Sequence, residues 1–139
     1  MVRNNKWLAQ KLDLLWQKYF FDVAKVNKVE IIFGRIARFR FGSITSKKKK
    51  WREKPKTLIR ITGLFRDSKI PVAVVKYTVA HELVHYAHGF SSPHVKLHRY
   101  PHEGGVVNKE LAKRGLGKLV LAYKKWLKDY REEVKRHRV

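Results

Sequence analysis

Apolar side chains recur at helical spacing near the start of the chain and again at its end. Leu8, Leu12 and Leu15 belong to a stripe that predicts a helix over residues 4–26. From Leu116 onward a second stripe predicts a long last helix, whose opposite face carries lysines and arginines. Both patterns are typical of helices that pack one face on a core.

Three short segments between these helices have the composition of strands. Residues 29–33, 36–41 and 57–61 are rich in β-branched and aromatic residues, and 36–41 alternates apolar with basic side chains. Their connections are too short for crossover helices, so we expect a small three-stranded, mainly antiparallel sheet. Residues 46–56 form the clearest loop, just before the third strand.

Two further helices complete the predicted fold. Residues 71–88 are unusually apolar and end at Gly89, which predicts a buried central helix. Residues 105–114, closed by Gly115, predict a short helix. The chain has 139 residues, of which 44% are hydrophobic, and this is the size of one domain. We therefore expect a single α+β domain over residues 1–139.

The charge of the chain is strongly unbalanced. Lys and Arg total 33 against 11 Asp and Glu, which gives a formal charge of +22. This excess repels itself unless something polyanionic offsets it, which favours nucleic acid as a partner. An acidic membrane surface and an acidic protein are the alternatives. No apolar run approaches about 18 residues and no signal peptide is apparent, so we expect a cytoplasmic protein without a membrane span, nucleoid-associated if it binds DNA.

The cations are densest in the loop before the third strand. This loop combines positive charges for phosphates with an aromatic ring for stacking on an unpaired base, so we expect it to bind single-stranded or damaged DNA. A solvated, disordered basic loop is the alternative. The predicted contact residues are Lys47, Lys48, Lys49, Lys50, Trp51, Arg52, Lys54 and Lys56.

Candidate chemistry lies in the central helix. The chain has no cysteine, which excludes thiolate metal sites, disulfide scaffolds and cysteine nucleophiles. His81 and His85 are one helical turn apart on one face, so both imidazoles can bind one zinc ion. Glu82 is rotated away from the metal and is free to accept a proton from water. A metal ion would also offset the cost of burying these polar groups, whereas the alternative is a surface helix with incidental histidines.

A catalytic zinc ion needs a third protein ligand and an open fourth position. The sequence leaves this ligand open. His102 is modestly favoured over His98, because it immediately precedes the turn at Gly104 and Gly105 into the next helix. His88 shares the helix face but lies about 10 Å of rise from His81. The candidates are His88, His94, His98, His102, Glu103 and Glu110.

Three motifs resemble the SprT-like zinc metalloproteases, the Spartan-related family. Residues 40–43, Arg-Phe-Gly-Ser, are similar to the family's turn between its early strands. Residues 75–85 are similar to its active-site helix, and residues 101–107 to the segment where it places its third histidine. The resemblance covers roughly residues 36–114, about the scale of one such module.

The resemblance implies a zinc endopeptidase with one catalytic ion that degrades DNA-bound or crosslinked proteins. It implies that His81, His85 and His102 hold the zinc ion and that Glu82 is the catalytic base. Relatives often carry a cysteine zinc ribbon, whereas this chain has no cysteine. The resemblance also includes small archaeal metallopeptidases whose third ligand is a glutamate, which would be Glu110 here. The rival hypotheses are a non-enzymatic nucleic-acid-binding module with structural zinc and a latent protease with a covered cleft.

Overall fold

The computed structural model describes residues 2–48 and 50–137 and confirms the α+β class. No helix in these two ranges is long and apolar enough to cross a lipid bilayer. In chain order the elements are α1 (Asn5–Tyr19), β1 (Val29–Phe33), β2 (Gly42–Lys47), β3 (Lys56–Ile61), a 3₁₀ turn (Gly63–Arg66), α2 (Val72–Ala87), a second 3₁₀ turn (Glu103–Gly105), α3 (Val106–Lys113) and α4 (Gly117–Arg136).

The sheet has the strand order β1-β3-β2 and is mixed rather than mainly antiparallel. β1 runs parallel to β3, with Val29 opposite Thr57, and β2 runs antiparallel to β3, with Gly42 opposite Ile61. The parallel pair needs no crossover helix, because β2 separates β1 from β3 in the chain and returns it in the opposite direction. Short connections therefore did not require every neighbouring pair to be antiparallel.

The second strand begins later than predicted, because residues 36–41 form a loop and β2 starts at Gly42. In this loop the Thr62 hydroxyl donates to the Ala37 carbonyl at 2.9 Å and accepts from the Ala37 N–H at 2.8 Å. The backbone of Ala37 is thus satisfied without strand pairing. Phe41 is buried, whereas Phe39, which would share its face in a strand, is 61% exposed, so the alternation of apolar residues does not reflect one buried strand face.

The first helix is shorter than predicted, since α1 ends at Tyr19 rather than at residue 26. The N–H of the fully buried Phe20 donates to the Trp16 carbonyl, and the chain then turns back. The Trp16 indole donates to the Val23 carbonyl at 2.8 Å and holds the turned segment against the helix. α2 and α3 match their predicted ranges to within one residue at each end.

α2 is the central helix and contacts α1, the sheet, α3 and α4. An aromatic cluster beside it fixes the end of the β1–β2 loop. The Phe41 ring lies within 5.2–6.4 Å, centroid to centroid, of four other aromatic rings: Phe65, Tyr123, Trp126 and Tyr130. Because three of these rings belong to α4, the C-terminal helix holds the start of β2 in place next to α2.

The connection from the sheet to α2 is fixed from the N-terminus. The Arg3 guanidinium is largely buried and donates to three backbone carbonyls of this connection: Phe65 at 3.1 Å, Asp67 at 3.0 Å and Ile70 at 2.7 Å. Hydrogen bonds that involve a charged group are stronger than neutral ones. Arg3 therefore stabilises the segment from which α2 begins.

Candidate metal centre

Three imidazoles meet beside the middle of α2. His81 and His85 lie on consecutive turns of the helix, and His102 reaches them from the loop before α3. The His102 Nε2 atom lies 3.0 Å from Nε2 of His81 and 3.1 Å from Nε2 of His85. Within the described ranges, this is the one group of three or more candidate metal ligands whose ligand atoms all lie within 4.8 Å of one another.

The spacing and protonation of these rings fit a metal ion. Two nitrogen ligands at about 2.05 Å from a tetrahedral zinc ion are about 3.3 Å apart, close to the separations seen here. Burial and the neighbouring imidazoles lower the pKa of His81 to about 3 and that of His85 to about 4. Both rings are therefore neutral at pH 7, the form that donates a lone pair to a metal. The three histidines can bind a metal ion.

The chain between α2 and His102 folds back over the end of the helix. It turns at Gly89, where φ is +85° and a Cβ would lie 2.5 Å from the Val95 carbonyl oxygen, so only glycine fits. The Leu97 N–H then donates to the His88 carbonyl at 3.0 Å. This return of the chain brings His102 to α2.

The other candidates for the third ligand have different partners. His94 lies 2.7 Å from a backbone carbonyl of the segment after α1, and His98 lies 3.5 Å from the Glu103 carboxylate. His88 is buried and faces Glu110 at 3.4 Å, and Glu110 also accepts a hydrogen bond at 2.9 Å from Arg114, the residue that follows α3. Of the six candidates, the structure brings His102 to the helical pair.

Glu82 is a buried acid beside this group. Its side chain is 4% exposed, and within the described ranges its Oε2 atom has no hydrogen-bond partner. Burial raises the pKa of Glu82 to about 8, against a smaller opposing effect of the Arg40 charge. A cation nearby would favour the carboxylate, since an opposite charge lowers the pKa of an acid. A metal ion at the three histidines would therefore favour the ionised form of the Glu82 carboxyl group.

β2 begins in close contact with Glu82. A Cβ at Gly42 would lie 2.9 Å from Cγ2 of Thr78 and 3.4 Å from Oε1 of Glu82. Any residue other than glycine must therefore displace its neighbours on α2. The sequence marked Gly42 as part of a turn motif, but its contact with Glu82 depends on tertiary packing and was not predicted.

One hydrogen bond joins α3 to α2 next to the histidines. The Tyr77 hydroxyl donates to Oδ1 of Asn108 at 2.7 Å, and the Tyr77 ring lies 5.9 Å from that of His81. Burial raises the pKa of Tyr77 to about 12, so the phenol stays protonated and donates. The bond fixes the chain that follows His102 relative to α2, and no sequence motif pointed to it.

The predicted DNA-binding residues lie at the other end of β2 from Glu82. Six residues of strand separate the two ends by roughly 17 Å. Trp51 is 76% exposed, and the Arg52 guanidinium lies 4.7 Å from its ring centroid. Lys47, Lys48 and Lys50 are also exposed, whereas Lys49 lies outside the described residues.

Two lysines of this loop have partners within the protein. Lys54 donates to the Val26 carbonyl at 2.5 Å, and Lys56 donates to the Glu30 carboxylate at 2.9 Å. Glu30 thereby neutralises part of the charge that Lys56 would offer to a phosphate. The remaining cations of the loop are better placed to contact a nucleic acid.

A comparison of the chain with models of protein families, with curated proteins and with solved structures finds no match in any of the three. The resemblance to SprT-like proteases stays a prediction from the motifs, and the function is argued from the geometry of the site.

Proposed function

We propose that the chain is a zinc-dependent endopeptidase of SprT-like type that cleaves proteins bound or crosslinked to DNA. The observation that carries this proposal is the convergence of three histidines beside a buried glutamate. Three protein ligands leave one position of a tetrahedral ion open, as in catalytic rather than structural zinc sites. Two histidines one helical turn apart with an adjacent glutamate favour zinc among the metals that imidazole binds.

The residues of the chain have distinct roles in this mechanism. When bound to His81, His85 and His102, zinc supplies a Lewis acid for the peptide carbonyl and lowers the pKa of water to about 7. Glu82 accepts the proton of the attacking water, and its partnerless Oε2 is available for this. The close approach of Gly42 restricts the Glu82 side chain, which keeps the proton acceptor in one position.

The DNA part of the proposal rests on the exposed cations and Trp51 in the loop between β2 and β3. A strand about 17 Å long joins this loop to Gly42, which lies against Glu82, so DNA on the loop would lie at the far end of the same strand from the proposed base. We also propose an intracellular, nucleoid-associated location, because DNA is the proposed partner.

The first experiment measures zinc content and the cleavage of labelled casein, with and without a single-stranded oligonucleotide. We expect one zinc ion per chain and cleavage that the Glu82→Gln variant loses by at least about 100-fold, the usual contribution of a general base. Glu82→Gln should keep its zinc, because the three histidines are unchanged. Glu132→Gln, an isosteric change on the exposed surface of α4, is the matched control and should keep full activity.

Two results would contradict the enzymatic proposal in different ways. Cleavage by Glu82→Gln at the wild-type rate would exclude Glu82 as the base. Zinc binding without cleavage of casein in any condition would favour a binding module or a latent protease.

The second experiment measures binding of a fluorescein-labelled oligo-dT by anisotropy between 50 and 200 mM salt. We expect Trp51→Ala to weaken binding at least about fivefold, because stacking on one base contributes about 1–3 kcal/mol. Phe21→Ala is the matched control, since Phe21 is 80% exposed but lies outside the basic loop. Removing Lys48 and Lys50 should lower the slope of log affinity against log salt concentration by about 1.4, since each cation that contacts a phosphate of a single strand contributes about 0.7. An affinity that does not depend on salt concentration would contradict the proposal that the lysines of the loop bind DNA phosphates.

A further inference from the structure

An apolar groove of about 820 Å³ lies between the β1–β2 loop, the connection before α2 and the C-terminal half of α4. Its lining includes none of the three histidines and no residue of the basic loop. Trp126 and Tyr130 form one wall, with ring centroids 4.8 Å apart in a stacked arrangement. Other apolar residues that line the groove are Ile36, Phe39, Leu64, Ile70 and Val134.

The groove is held open by contacts on both sides. The Tyr130 hydroxyl donates to the Arg38 carbonyl at 2.8 Å, which joins α4 to the β1–β2 loop. Behind the wall, the Trp126 ring packs 5.5 Å from that of Phe41 and 5.8 Å from that of Phe65. A preformed surface of this kind loses little conformational entropy when it binds a ligand.

Three carboxylates line this groove without ion-pair partners. Within the described ranges, no charged side-chain nitrogen of Lys, Arg or His lies within 4.0 Å of the carboxylate oxygens of Asp67, Asp129 or Glu133. Asp67 accepts one hydrogen bond, from the Lys69 backbone N–H at 2.9 Å. Arg38, Lys69 and His137 also line the groove, so three acids face two Lys or Arg here. In the whole chain, 11 acids face 33 Lys and Arg. The groove therefore reverses the charge ratio of the protein around it.

We propose that this groove binds a cationic, amphipathic peptide segment of a partner protein. Apolar side chains of such a segment would fill the groove, in the way that one face of an amphipathic helix enters a hydrophobic groove. Its Lys or Arg side chains would pair with Asp67, Asp129 and Glu133 and lie over the rings of Trp126 and Tyr130. A second copy of the chain is a poorer occupant, because each copy carries a charge of +22 and the copies repel.

The test uses a fluorescein-labelled 14-residue peptide with leucine at every third or fourth position and lysine at the others. A peptide with glutamate in place of lysine and a scrambled lysine peptide are the comparisons. Anisotropy is measured on the full chain at 150 mM salt. We expect the patterned lysine peptide to bind at least tenfold more tightly than either comparison. The overall charge of the chain alone would favour the glutamate peptide, so the sign of this difference is diagnostic.

Matched variants then assign the binding to the groove. Glu133→Lys combined with Asp129→Lys should weaken binding of the lysine peptide at least tenfold. Glu132→Lys changes the same helix by the same charge per site but does not line the groove, and it should alter binding less than twofold. All three positions are exposed, so the variants should fold, which circular dichroism would verify.

Several results would overturn the proposal. If the scrambled peptide bound as tightly as the patterned lysine peptide, the association would be non-specific. If Glu132→Lys weakened binding as much as the variant with Glu133→Lys and Asp129→Lys, the effect would be one of net charge alone. No binding of the lysine peptide would refute it directly. A dimer in light scattering that Ile36→Lys dissociates would assign the groove to a second copy. None of these readouts depends on proteolysis, so the failure of this proposal is separate from that of the proposed function.

Discussion

Replacing Gly42 by alanine tests the contact between β2 and Glu82. The φ of Gly42 is not in the left-handed region, so the backbone accepts alanine and the cost is steric. The new Cβ would lie 2.9 Å from Cγ2 of Thr78, inside the favourable range of about 3.5–4.0 Å. Overpacking of this kind costs about 1–3 kcal/mol. At about 2.1 cal/mol/K of unfolding entropy per residue, 139 residues convert this into a Tm lower by about 3–10 °C.

The same substitution should lower activity more than it lowers metal binding. The Cβ would also lie 3.4 Å from Oε1 of Glu82, so the base must move when Thr78 moves. We expect casein cleavage to fall at least tenfold while zinc content stays near one per chain. Gly34→Ala is the control, because its Cβ would lie no closer than 3.7 Å to its neighbours. It should be neutral or stabilise the protein by up to about 1 kcal/mol.

A second substitution tests whether contact with Thr78 causes the loss of stability in Gly42→Ala. Thr78→Ser removes the Cγ2 atom that the new Cβ would meet but keeps the hydroxyl, which donates to the Val74 carbonyl at 3.0 Å. In the Gly42→Ala background this change should restore at least half of the lost Tm, which a double-mutant cycle would measure. A wild-type Tm and wild-type cleavage in Gly42→Ala alone would refute the close approach. Failure of Thr78→Ser to restore the Tm would assign the loss to another contact.

Three further predictions concern the support of the metal centre. Tyr77→Phe should weaken zinc binding up to about fivefold, since it removes about 1 kcal/mol of clamping between α2 and α3. Tyr86→Phe is the control on the same helix, because it removes a hydroxyl that accepts from the Val26 N–H and donates to Oδ1 of Asn27. It should lower the Tm at least as much as Tyr77→Phe does without changing zinc affinity, and equal zinc affinities of the two variants would exclude the clamp. Arg3→Met should lower the free energy of unfolding in urea by about 2–4 kcal/mol, because three carbonyls lose a charged donor, and a change under 1 kcal/mol would contradict that role. His102→Ala should weaken zinc binding at least about 100-fold in a chelator competition, whereas His98→Ala should weaken it less than threefold. A larger effect of His98→Ala would identify His98 as the third ligand instead of His102.

The bounds of α2 and α3 could be predicted from the sequence because their signals are local, whereas α1 ends seven residues before its predicted end. Apolar spacing and a terminal glycine are enough to place α2 and α3 to within a residue. The strand over residues 36–41 was wrong because alternation alone does not show which partner a segment finds. Its backbone bonds to the Thr62 side chain, and its one buried aromatic ring packs under α4. The parallel pairing of β1 with β3 likewise depends on where the chain returns, which short connections do not fix.

The metal centre could also be predicted only in part from the sequence. His81 and His85 share a helix face whatever the rest of the chain does, so their proximity follows from helical spacing. His102 is brought to them by a loop whose course depends on the turn at Gly89 and on backbone bonds to the end of α2. Spacing therefore gave only a modest preference over His98. The contact of Gly42 with α2 needs two elements to pack together, and no local pattern encodes it.

The distribution of carboxylates connects the metal centre with the groove. In a chain with three cations for every acid, three acids have a Lys or Arg ion-pair partner in the described ranges: Glu30, Asp22 and Glu110. Asp13, Glu53 and Glu132 lie exposed, where water solvates them. Glu82 differs, because it is buried without a cation beside its Oε2 atom, and a metal ion at the histidines would supply the charge. The acids of the groove are exposed as well, but they line a partly apolar surface and form no side-chain ion pair in the described ranges, so a cationic side chain of a partner can pair with them: Asp67, Asp129 and Glu133. The buried acid therefore favours an inorganic cation at the histidines, and the exposed acids favour a cationic side chain of a partner at the groove.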